Sequence, residues 1–185
     1  MVDTSKKIQF LHRAFTVATC VRLVLLFSDV SLVSAAEAHA ATAQSTISSS
    51  FQDVIPASEL LQETNANRIE AGLSPLELND QLTAAAEAKA QDMVINNYWD
   101  HFRPSDHKAP WDFIDEAGYH YQVAGENLAR GFQTAGGITR AWMHSPAHAA
   151  NILSPKYKEV GFATIYGTDD NGNSVILTVQ MFGAR

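Results

Sequence analysis

Cysteine is almost missing from this chain. Its one example, Cys20, lies close to the N-terminus. No disulfide framework, thiolate metal site or cysteine nucleophile is available beyond it. The fold must therefore rest on packing, which 185 residues can supply without staples. A basic excess is also missing: the net charge is −7. Residues beyond 40 hold nine basic side chains against seventeen acidic ones, with no basic stripe. Nucleic acid and an anionic membrane surface are thereby excluded as expected partners. Long apolar runs are missing too. The stretch from Ala14 to Val33 is interrupted by Arg22 and Asp29. It falls short of the roughly 20 apolar residues that span a bilayer, so no stable membrane span is expected.

What the N-terminus does have is an export pattern. Lys6, Lys7 and Arg13 precede the apolar run, and small residues follow it up to Ala38-His39-Ala40. That order fits a secretory signal over residues 1–40. Residues 41–55 are rich in serine and threonine and read as a flexible leader. The remainder, 56–185, reads as one domain, with a secreted location, extracellular or periplasmic, and a monomer expected.

Within it, Pro56 opens a helix to about Ala71, with Leu60, Leu61, Ala66 and Ile69 sharing a face and Gly72 ending it. Leu73–Leu78 is a short extended link. Asn79 or Asp80 caps a second, alanine-rich helix to about Asn97. Pro110 starts a short helix ended by Gly118. A strand-like passage at 121–131 precedes a helix over Thr134–His144, and Pro146 begins one more helical turn. The end is β: apolar residues fill both faces around Val160–Tyr166 and Val175–Phe182, joined through Asn171-Gly172. Strands covered on both faces, with helices before them, give an α/β fold, an α-β-α sandwich flanking a small, mainly antiparallel sheet.

Three polar residues stand in apolar surroundings at element ends: His101, Glu126 and His148. Loop ends on a rigid scaffold are where sites form. Two imidazoles and a carboxylate suit a divalent metal, zinc or magnesium, with water completing the shell. They equally suit a base and its orienting partner. Local structural roles stay open beside these: the histidines bonding buried backbone groups, Glu126 pinning a loop. Asn127 and Asn151 read as turn or cap residues, and Ser145 as a cap at Pro146, since no Gly-x-Ser-x-Gly elbow surrounds it. Trp99, Trp111, Trp142, Tyr119 and Tyr121 read as core or cleft wall, with a lipid groove as the alternative. Asp169–Asn173 is calcium-like in composition but reads as a hairpin tip.

The strings His101-Phe102-x-Pro104, Ala117-Gly118-Tyr119, Gly125-Glu126-Asn127-Leu128-Ala129, Trp142-x-x-Ser145-Pro146-x-His148-x-x-Asn151-Ile152-Leu153, Val160-Gly161 and Gln180-x-Phe182-Gly183 occur in this order. Together they resemble the CAP superfamily (cysteine-rich secretory, antigen 5 and pathogenesis-related proteins) in its disulfide-free bacterial form, over about residues 57–185. The resemblance implies a cleft in which His101, Glu126 and His148 match two histidines and one glutamate. The family's second glutamate would fall three places after Trp142, where Ser145 stands instead. The function it implies is a secreted binding module for a small apolar ligand such as a lipid, a metal ion or a cell-envelope partner. The alternatives are a metal-dependent hydrolase using His101, Glu126 and His148, and a structural cell-envelope domain. Export makes a definite prediction: N-terminal sequencing of the exported protein should start at Ala41, and a full-length chain retained in the cytosol would exclude it.

Overall fold

A computed structural model describes residues 54–185; the expected signal and most of the leader lie outside the described residues. In chain order the elements are α1 (Ala57–Glu70), β1 (Glu77–Leu78), α2 (Asp80–Ile95), α3 (Pro110–Glu116), β2 (Val123–Arg130), α4 (Ala135–Met143), α5 (Pro146–Ile152), β3 (Glu159–Thr168) and β4 (Ser174–Ala184). The four strands form one mixed sheet in the order β1-β3-β4-β2. Only β1 pairs in parallel, with β3; the other two pairings are antiparallel.

The doubly apolar end strands are explained by two cores. One face of the sheet turns Ala163, Ile165, Leu177, Val179 and Met181 toward α2 and α3, where Leu82, Ala86, Met93 and Phe113 meet them. The other turns Val160, Phe162, Ile176 and Phe182 toward Leu60, Ile138, Trp142 and Ile152 of α1, α4 and α5. Helices on both faces of a small sheet make the α-β-α sandwich. Its packed part already includes Ile55, buried and bonded through its backbone to the Thr164 hydroxyl.

Two details of α1 and α2 differ from the sequence reading. The buried stripe of α1 is Leu60, Thr64 and Arg68, four apart, while Ile69 is 61% exposed. Arg68 is buried because its guanidinium donates to the carbonyls of Ser74, Ile152, Ser154 and Tyr157. A periodicity count of apolar residues passes over such a cation. Helix α2 is capped by Asn79, whose Oδ1 accepts the N–H groups of Gln81 and Leu82, and it stops at Ile95; Asn97 already has φ +49°.

Strand β2 lies at an open edge of the sheet. Side chains from outside the sheet cap three alternate carbonyls along it. Tyr157 donates its hydroxyl to Ala124, Asn151 its amide to Glu126, and Trp142 its indole N–H to Leu128. Covering an edge in this way blocks pairing with another chain. Gly125 is required here because a Cβ would run into the Tyr157 ring.

Asn127 is not a turn residue. Its side chain, buried with Gln180, donates to the Gln180 amide oxygen and to the His148 carbonyl and accepts from Asn151. Gln180 in turn donates to Thr64 of α1. Asn151, placed in α5 rather than at a cap, is thus the bridge from that helix to β2. Ser145 does sit at the N-cap position of α5, but its side chain makes no capping hydrogen bond.

Helix α2 crosses β3 closely at Gly161, where a Cβ would overlap the backbone of Leu82 and Thr83. Gly161→Ala should therefore cost about 3 kcal/mol or more in urea unfolding, since backbone cannot yield as a side chain can. Asn79→Ala should cost about 1 kcal/mol through the lost cap.

Candidate functional site

At the open edge of β2 the two helical layers part. His101 and Phe102 approach from the α2–α3 loop, Pro110 and Trp111 from the start of α3, and Asn151 and Tyr157 from the opposite layer. With Ala124, Gly125 and Glu126 they line a cleft of about 260 Å³. Strand alternation explains the split in roles. Glu126 faces the α2 side, where Lys89 and His101 lie, while Asn127 faces the other layer and its amide network.

His101 Nδ1 and Glu126 Oε1 are 2.5 Å apart. The pair is lopsided: the imidazole is 46% exposed and the carboxylate 1%. Glu126 Oε2 is buried and has no hydrogen-bond partner among the described residues. Burial pushes the Glu126 carboxyl above its ordinary range, and the neighbouring His101 and Lys89 work against that. The hydrogen bond to Glu126 raises His101, with burial opposing it. Here the His101 ring bonds a side chain rather than buried backbone, and the Glu126 carboxylate takes the ring rather than a backbone N–H. It is a donor–acceptor pair opening onto a partly apolar cleft.

His148 is not hydrogen-bonded to that pair. It is half-buried on α5, and its imidazole makes no hydrogen bond to another described residue. Burial lowers its pKa, and the charge of His101 lowers it further. The cleft wall includes Asn151 but not His148. Among the described residues no three His, Cys, Asp or Glu side chains are placed to hold a metal ion. Ser145 stands where a second glutamate was expected, and His101 Nδ1 is engaged by Glu126, which leaves Nε2 as the ring nitrogen of His101 not bound to it.

Of the aromatic residues expected in core or cleft wall, Trp142 and Tyr119 are core, Trp111 is cleft wall, and Tyr121 packs half-buried beside α3. Trp99 lines a different concavity of about 460 Å³ near the β3–β4 turn, under the Arg130 guanidinium. In that turn Asp169 accepts the N–H groups of Asn171 and Asn173, so the calcium-like string is a turn held by its own aspartate. Sequence reasoning missed Lys89 and Tyr157. Lys89 sits among the alanines of α2 with nothing to distinguish it from a solvated lysine. Tyr157 follows Pro155 in a link with no periodicity.

Both members of the His101–Glu126 pair bind protons more strongly folded than unfolded. Their stabilising contribution is complete at low pH. It is lost as pH rises above the ordinary values, 4.5 for Glu126 and 6.5 for His101. Unfolding free energies measured from pH 4 upward should therefore fall in the native protein relative to Glu126→Gln. Parallel curves would show that the pair is not coupled to folding.

The comparison with known proteins agrees with this fold. The chain is 40% identical over 103 residues to the uncharacterized protein YkwD of Bacillus subtilis, a match covering 56% of this chain and 40% of that protein. It is 28% identical, again over 103 residues, to the membrane protein YlbC of the same organism, covering 30% of it. The chain thus spans less than half the length of these curated relatives. Among solved structures, an extracellular SCP-domain protein from Bacillus anthracis superposes with TM-score 0.59 at 24% identity, over 70% of this chain and 40% of that one. An outer surface protein of Borrelia burgdorferi does so with TM-score 0.57 at 22% identity, over 68% and 90%. These two establish the fold. The model of the cysteine-rich secretory protein family, CAP, matches residues 61–182, the stretch that holds both helical layers, the capped edge of β2 and the His101–Glu126 pair, and the chain belongs to that family.

Proposed function

We propose that the protein is an exported binding module whose cleft takes a small amphipathic molecule. The molecule's hydroxyl or amide N–H pairs with Glu126, and its apolar body lies against Phe102, Pro110 and Trp111. The observation that carries this reading is the lone Glu126 Oε2. A buried acceptor without a partner costs free energy, and a donor arriving in the cleft relieves that cost. A neutral donor suits it better than a cation, because Lys89 and His101 already supply positive charge around the carboxylate. The exposed ring of Phe102 beside the partly buried Trp111 offers the apolar contact such a ligand needs. Export is supported by the charged, apolar and small-residue order of residues 1–40.

Hydrolysis is less well supported. No serine or cysteine lines the cleft, and among the described residues no three His, Cys, Asp or Glu side chains are placed to hold a metal ion.

The test is an NMR titration of the protein with a medium-chain alcohol beside the matching alkane. The alcohol should shift the His101 and Trp111 resonances and the alkane should do so more weakly. Glu126→Leu should weaken alcohol binding about tenfold or more, the worth of a hydrogen bond to a charged group. Equal response to alcohol and alkane, or none to either, would overturn the reading. Stoichiometric zinc or magnesium binding by calorimetry, lost in His101→Ala with His148→Ala, would replace it with a metal site.

A further inference from the structure

The loop that carries His101 ties its far part together, Arg103 donating to the Lys108 carbonyl and to the Asp106 carboxylate and accepting from the His107 N–H, while its His101 end has the Phe102 N–H on the Asp100 carboxylate. It runs from the end of α2 to Pro110, most of it is exposed, and His107 within it has φ +61°. The His101 ring meets the body of the domain through one hydrogen bond, to Glu126. Yet the loop is fixed from beneath by α2. Lys89 is fully buried, and its ammonium donates to the Tyr98 hydroxyl at 3.1 Å, the Asp100 carbonyl at 2.8 Å and the His101 carbonyl at 2.7 Å. Three donors meet three acceptors, so the cation is satisfied without a carboxylate contact. One turn further along the same face, Asp92 accepts from the Tyr98 hydroxyl at 2.6 Å and from Arg103 at 2.7 Å. The rings of Tyr98 and Phe113 lie 4.7 and 5.6 Å from the Lys89 ammonium.

A buried ammonium is costly unless it is paired, and an apolar residue at this place in α2 would avoid the cost. Here every one of its bonds goes to the loop that delivers His101. We infer that Lys89 is a positioning residue of the cleft, holding the Asp100–His101 backbone so that the His101 imidazole reaches Glu126. The charged and titratable groups around the His101–Glu126 pair are Lys89 and Asp92 from α2, Asp100 and Arg103 from the loop, and His148 from α5. Among these only Lys89 grips the His101 backbone. The inference deepens the binding reading, because a cleft whose donor–acceptor pair is not held in place has no fixed acceptor to offer. It needs no ligand, so it stands or falls separately.

The experiment compares the native chain with Lys89→Met, Lys89→Arg and Glu126→Leu by NMR, without ligand. The bridging proton between His101 Nδ1 and Glu126 Oε1 should give a far-downfield signal in the native protein. Lys89→Met should abolish it and speed amide exchange at Phe102 and Arg103 about tenfold or more. Lys89→Arg, which can reach the same carbonyls, should restore the signal at least in part. Glu126→Leu should lose the signal while leaving the exchange rates unchanged, separating the pair from the loop that presents it. If Lys89→Met does not fold, Lys89→Gln, which keeps one donor, takes its place. A folded Met or Gln variant that retains both the bridging proton and native exchange rates would overturn the inference. So would an Arg variant that folds but rescues neither.

Discussion

The structure depends on how the open edge of β2 is closed without a further strand. An edge strand exposes backbone groups that must be paired or covered. Here β4 pairs one side, and Tyr157, Asn151 and Trp142 cap the carbonyls on the other. Those three caps come from α4, α5 and the link before β3, so they also draw the second helical layer against the sheet. Because the capping groups are side chains rather than a strand, the edge is not sealed along its length. Room is left between the layers at Ala124–Glu126, and that room is the cleft. Closure of the sheet and opening of the site follow from the same three hydrogen bonds.

A domain whose described part has no cysteine must satisfy its buried polar groups by direct pairing. Two cations do much of this. Arg68 ties α1 to the carbonyls of the α5–β3 link, and Lys89 ties α2 to the loop before α3. Each joins a helix to irregular backbone, where no ladder of secondary-structure bonds exists. Asn127, Asn151 and Gln180 add an amide network between β2, β4 and α5. Each of these buried groups has a partner, so each rigidifies rather than destabilises. Glu126 Oε2, buried without a partner among the described residues, is an exception, and it belongs to a residue of the cleft wall.

The placement of His101 and Glu126 together was legible in part. Both stood out as polar residues at element ends within family motifs, and the structure joins them directly. His148 stood out equally and is not joined to them. Its motif is accounted for by other members: Asn151 caps the Glu126 carbonyl, while the His148 backbone carbonyl serves Asn127. Residues in one motif need not serve one site, because successive positions of a short helix face different neighbours. Tyr157 and Lys89 were not legible at all, since their roles arise from partners 33 and 12 positions away along the chain.

The sequence by itself determined the order and kind of the elements, the two-faced apolar character of β3 and β4 and hence the sandwich. These follow from local periodicity, proline, glycine and capping residues, which act over a few positions. Family membership was readable for the same reason, as strings of neighbouring residues. Tertiary structure alone decided that β2 is an edge, that its carbonyls are capped from the second layer, and that a lysine inside an alanine-rich helix holds the histidine loop. Those outcomes depend on burial and on hydrogen bonds between distant segments. Whether a lysine is solvated or sealed is a property of what packs above it, and no local pattern records that.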